Sequence, residues 1–160
     1  DLGAIYQIDP ATSANNLWLD ITTLGVNVGS IGNDAARGLS NTGAPSNDPT
    51  SYSLVGQVGL GDLDISDDNT TMYVVNLNQQ ELVVIDIATK ALLGKYTIPN
   101  PGCTGGSPRP FGVKYYRGAV YLGVICDAAT SQLKNNLSAT VYRFNGSSFT
   151  SVLTFPLTYP

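Results

Sequence analysis

Histidine does not occur in this chain. Its absence removes the usual neutral-pH general base, the Ser-His-Asp and Cys-His nucleophile systems and the commonest transition-metal ligand. Cysteine occurs only at Cys103 and Cys126. A zinc centre would therefore need several carboxylates, an uncommon donor set. Charge is scarce: 12% of the residues are charged, about half the ~25% of ordinary globular domains. The net charge of −4 gives no basic footprint for nucleic acid. There is no apolar run of about 18 residues, so membrane insertion through a helix is not expected. No signal-peptide pattern is legible, and a chain beginning at Asp1 fits one whose targeting segment is removed. Together these gaps weigh against a hydrolase or a metalloenzyme.

What remains is 42% hydrophobic, with polarity supplied by Asn, Thr, Ser and Gly. That is the composition of β-rich extracellular proteins with many turns. The 160 residues suffice for one domain with a core. A motif recurs three times: Ile5-Tyr6-Gln7-Ile8-Asp9, Leu82-Val83-Val84-Ile85-Asp86 and Val141-Tyr142-Arg143-Phe144-Asn145. Each is a strand ending on Asp or Asn, followed by a small polar turn. Such repetition indicates a propeller or another radial array.

The pattern predicts an all-β fold of antiparallel, four-stranded blades. Residues 1–22 read as a half blade with strands over 3–9 and 17–22. Residues 23–55 read as a long ordered loop, with a helical turn capped near Asp48. Residues 56–98 form a blade with strands over 58–65, 71–76, 81–87 and 91–98. Residues 108–159 form another, with strands over 111–116, 119–126, 137–144 and 150–157. Alternation in Leu63/Ile65, Met72/Val74 and Val83/Ile85 suits strands packed against a neighbouring blade. Tyr73 and Tyr121 occupy corresponding places. Two and a half blades cannot close a ring that needs ~4–8. The expectation is an incomplete β-propeller, a piece of a longer protein, with self-assembly or a compact sandwich as alternatives.

The hairpin at Arg117-Gly118 puts Cys126 opposite roughly Arg109, with Cys103 on a Gly/Pro-rich loop six residues earlier. A Cys103–Cys126 disulfide is expected, and two free thiols are the alternative. No CxxC spacing supports a redox centre.

The stretch Asp64-Ile65-Ser66-Asp67-Asp68-Asn69-Thr70-Thr71-Met72-Tyr73-Val74-Val75-Asn76, with Leu82-Val83-Val84-Ile85-Asp86, resembles the YVTN-type bacterial β-propeller repeat. Gly59–Ser66, Arg109–Tyr115 and Val120–Cys126 look like propeller segments of large bacterial surface proteins, which often carry SdrD B-like adhesin domains. The resemblance covers residues 56–158 well and 1–55 loosely. It implies secretion or surface display and brings no catalytic residues. Asn69 stands where the repeat usually has Gly, which still permits the left-handed backbone.

Asp62, Asp64, Asp67 and Asp68 are the densest acidic cluster. They are a candidate Ca²⁺ site, against which stands ordinary turn chemistry. Asp62 and Arg109 begin the first strands of successive blades. They would lie at a channel mouth, as a polar-ligand anchor or as an inter-blade ion pair. Tyr115, Tyr116, Tyr121, Tyr142 and Tyr159 with Trp18 suggest a sugar-stacking surface or inter-blade packing. Asn69, Asn136 and Asn145 head glycosylation sequons that abundance alone explains. The expected function is a non-enzymatic extracellular or cell-surface structural, adhesive module. Its partners would be the remaining blades of the same or another chain, and a surface glycan or protein. The alternatives are a fragment of a propeller lyase or sugar dehydrogenase, and a subunit of an extracellular filament or layer.

Overall fold

The computed structural model describes residues 2–39 and 47–158. The strands are β1 (Ala4–Ile8), β2 (Asn15–Asp20), β3 (Leu60–Ile65), β4 (Thr71–Asn76), β5 (Glu81–Asp86) and β6 (Leu92–Thr97), then β7 (Pro108–Tyr116), β8 (Ala119–Cys126), β9 (Ser138–Phe144) and β10 (Phe149–Pro156). They form three antiparallel sheets: β1-β2, then β3-β4-β5-β6, then β7-β8-β9-β10, each a simple meander. The fold is all-β, as expected, with one short α-helix, α1 (Pro49–Leu54), among the described residues.

The recurrent motif has one structural cause. Asp9 accepts from Ala11 N at 2.9 Å and Thr12 Oγ1 at 2.8 Å. Asp86 accepts from Thr89 N and Thr89 Oγ1, both at 2.7 Å. Asn145 accepts from Ser147 N at 3.0 Å and Ser148 N at 2.9 Å. Each side chain folds back on the turn that follows its strand. In the two larger sheets that turn joins the third and fourth strands, and in the first sheet it joins β1 to β2.

The second sheet is buried on both faces. Met72, Val74, Val83 and Ile85 pack with Ile5, Ile21, Val26 and Val28 beneath the first sheet. Val75, Leu77, Leu82 and Val84 pack with Val113, Val120, Leu122, Val124, Tyr142 and Phe144 of the third. The sheets thus stack in chain order. Part of the 23–55 segment packs against the second sheet. Val26 and Val28 enter the first core, and the fully buried Asn76 donates to Asn27 O at 3.1 Å. Asp48 caps α1 by accepting from Ser51 N.

Most strand ends differ from the sequence reading by one to three residues, and two of these shifts have a visible cause. β2 stops at Asp20, because its carboxylate accepts from Thr22 N and starts a 3₁₀ turn over Ile21–Leu24. β7 starts at Pro108, three residues early, because Pro108 pairs with Cys126 across the hairpin. Leu63, read as inward, is 39% exposed, since the β3–β4 register shifts between Leu60 and Leu63.

Candidate functional site

Of the expected site residues, Asp62 and Asp64 lie along the seam where β3 meets β7. The close approach needs a residue without a side chain. A Cβ on Gly61 would lie 3.0 Å from the Phe111 carbonyl oxygen and 3.1 Å from Leu77. Beside it, Asp62 Oδ2 accepts from Val113 N at 3.1 Å, while Oδ1 accepts from Leu63 N at 2.9 Å. Asp64 Oδ2 accepts from Tyr115 N and from Lys114 Nζ, each at 2.7 Å. Tyr73 stacks on Tyr115 with ring centres 5.8 Å apart. Two carboxylates of one sheet thus bind main-chain N–H groups of the next.

Burial at this seam opposes ionisation of Asp64. The Lys114 ammonium and the N–H groups of Tyr115 and Ile65 outweigh it, and hold the carboxyl below its ordinary range. Lys114 is raised in turn by its bond to Asp64. Burial, with Tyr115 beside it, pushes the Tyr73 hydroxyl up.

The four aspartates do not converge. Asp68 caps the β3–β4 turn, accepting from Ser66 Oγ at 2.6 Å, Thr70 Oγ1 at 2.8 Å and Thr70 N at 3.1 Å. These bonds lower its pKa. Asp67 is exposed on the same turn. Asn69 there is left-handed, with φ of 59°. Among the described residues no group of three or more His, Cys, Asp or Glu side chains is placed to hold a metal ion.

Asp62 and Arg109 do not pair. Arg109 Nε donates to Asp127 Oδ2 at 2.7 Å, and Asp127 also accepts from Ser107 N at 2.8 Å and Ala129 N at 3.0 Å. Burial opposes ionisation of Asp127, and these bonds with the Arg109 charge still keep its carboxyl low. Cys103 and Cys126 are joined, with Cα atoms 5.2 Å apart, so the disulfide and the Arg109–Asp127 pair fasten the same corner. Asp127 was missed in the sequence. Its signal was its place directly after the cysteine, where the chain leaves β8.

The aromatic residues separate. Tyr115 and Tyr142 belong to the core between the second and third sheets, and Trp18 packs on the first core. Tyr116 is exposed at a hairpin end, with Arg117 over its ring at 5.0 Å. Tyr121 lines an open depression of about 370 Å³ with Asp62, Gly112, Lys114, Gly123 and Val141. Tyr159 lies outside the described residues. Of the sequon residues, Asn69 and Asn145 are exposed and Asn136 is half-buried. A cleft of about 520 Å³ lies between the first sheet and the 28–37 segment and is edged by Arg37. That guanidinium is neutralised by Asp34 and Asp48.

Chemically, the seam is a tie between sheets, made of carboxylates that accept from the main chain of the neighbouring sheet, with Asp64 held ionised by its partners. No helix among the described residues is long and apolar enough to cross a membrane. Compared with protein-family models, curated proteins and solved structures, the chain matches none.

Proposed function

We propose that this chain is a non-enzymatic structural and adhesive module of an extracellular or bacterial cell-surface protein. Its sheets are successive blades of an incomplete β-propeller of the YVTN-repeat kind. One observation carries the reading: the Asx-closed turn falls at the same place in each sheet. Asp86 and Asn145 close the turns between third and fourth strands, and Asp9 closes the β1–β2 turn. The first sheet therefore has the phase of the last two strands of a blade. The registers of the larger sheets agree with it. Asp64 opposes Tyr73 in one, and Lys114 opposes Tyr121 in the other. The Cys103–Cys126 disulfide is compatible with an oxidising, extracellular setting. Partners are further blades and a surface glycan or protein.

The test is direct. The purified chain is presented to a glycan array, to bacterial cell-wall polysaccharide and to immobilised surface proteins. Saturable binding to at least one of them without turnover is expected. Reproducible hydrolysis, lyase or electron-transfer activity would overturn the reading in favour of a propeller enzyme.

A further inference from the structure

Charge is divided along the chain in a way its total conceals. Residues 108–158 carry Arg109, Lys114, Arg117, Lys134 and Arg143 against one acid, Asp127, a net of +4. Residues 1–107 carry 11 acids against Arg37, Lys90 and Lys95, a net of −8. The first 36 residues contain neither Lys nor Arg. The third sheet is thus the basic end of the stack and the first sheet an acidic end. Arg109 is paired with Asp127 and Lys114 with Asp64, whereas Arg117, Lys134 and Arg143 have no ion pair among the described residues.

Both ends also show apolar faces. On the third sheet, Ile125 opposes Ala139, which opposes Phe155, and Gly123 opposes Val141, which opposes Leu153. Tyr121 opposes Arg143 in the next row. These residues lie on the face away from Val120, Leu122 and Val124, which enter the core. In strand register, Tyr121, Gly123 and Ile125 take the places that Tyr73, Val75 and Leu77 hold in the second sheet. In the second sheet that face is covered by the third. On the first sheet, Tyr6 opposes Leu17 and Ile8 opposes Asn15, on the face away from the buried Ile5. Ile125, Leu153 and Phe155 at one end, and Tyr6, Ile8 and Leu17 at the other, are between 38% and 66% exposed. Contiguous exposed apolar faces of this kind mark interaction surfaces.

We propose that a second copy of this chain covers the outer face of the third sheet, presenting the outer face of its own first sheet. The contact is head to tail, joining two different surfaces, so it propagates into a ring or a fibre. Opposite charge steers it and apolar contact holds it. It deepens the structural reading above, because it names the partner that supplies the next sheet.

Sedimentation velocity of the intact chain across its soluble concentration range tests the proposal. Concentration-dependent association is expected, weakening about tenfold from low to high salt as screening shortens to a few ångströms. Gly123→Glu adds an acid to the basic face. Nothing lies within 4 Å of the Cβ it introduces, so the sheet remains folded, as circular dichroism checks. Ile8→Lys adds a cation at an exposed site on the acidic face. Each variant alone should associate at least tenfold more weakly, and an equimolar mixture should recover association, since each supplies what the other lacks. A wild-type chain that stays monomeric at low salt overturns the proposal. So does association that Ile8→Lys leaves intact, which would mean a symmetric contact through the third sheet alone. A monomer that still binds a surface polymer leaves the proposed function standing. Association in a chain with enzymatic turnover does the reverse.

Discussion

Asp62 and Asp64 are each a single point of attachment between two sheets. Removing the Asp62 carboxylate leaves Val113 N without its acceptor at a half-buried seam. Asp62→Ala should therefore lower stability by about 1–3 kcal/mol, read as a fall in the urea midpoint at unchanged slope. Asp64 adds a dependence on pH. Its carboxyl is depressed in the folded state, so its contribution is complete above the unfolded value of about 3.9 and fades as pH falls through the folded value. Asp64→Asn should cost about 1.5–3 kcal/mol at pH 7, the usual worth of bonds to a charged group. The gap from wild type should close progressively below about pH 4. A gap that stays constant down to acid unfolding would show that the charge contributes nothing. Neither attachment was legible in the sequence. The aspartates stood out as a cluster, but both bind main-chain N–H groups, which no side-chain pattern announces, and Lys114, the side-chain partner of Asp64, lies 50 residues away in sequence. Arg109 was singled out with the wrong mate. Its partner Asp127 lies 18 residues away in sequence, placed by a hairpin whose register shifts between Pro110 and Val113.

Among the elements, the β7–β8 hairpin depends on two fastenings at its open end. The disulfide closes a loop of 23 residues, so Cys103→Ser with Cys126→Ala should lower stability by about 3 kcal/mol in the loop-entropy account. Gly106 lies inside that loop. A Cβ there would meet Asp127 Oδ1 at 2.3 Å and Ala128 N at 2.5 Å. Gly106→Ala should therefore destabilise by at least about 1 kcal/mol, while Gly112→Ala, open to solvent, should be close to neutral; thermal melts of the pair compare them. The elements themselves were largely legible. β4 and β8 have the predicted bounds, and α1 follows its Asp48 cap. Asp9, Asp86 and Asn145 were visible as turns because an Asx side chain bonds within two or three residues of itself. The early end of β2 was hidden, because Ile21 and Thr22 continue a plausible strand pattern. Only the Asp20 bond to Thr22 N bends the chain into a 3₁₀ turn.

At the scale of the whole molecule, the second sheet belongs to two cores at once. Damage to one should be felt in the other. Trp18, the single tryptophan, reports on the first core, and Leu122 lies in the second. Leu122→Ala should cost about 2–5 kcal/mol. It should shift the Trp18 fluorescence transition by the same amount as the circular dichroism transition. Two separated transitions would show that the cores melt independently. The stacking of sheets was anticipated from the repeated motif, whereas the split of charge between the two ends was concealed within a modest total of −4. The seam between β3 and β7 has a consequence for how such a stack can diversify. Asp62 and Asp64 grip peptide groups, which every residue but proline supplies, and Gly61 makes room without asking for a particular neighbour. These hydrogen bonds are indifferent to the side chains at positions 113 and 115, which are fixed instead by the place of Val113 and Tyr115 in the core between the sheets. A sheet duplicated or exchanged against this edge therefore keeps these bonds, and the apolar residues packed across the seam are what must change together.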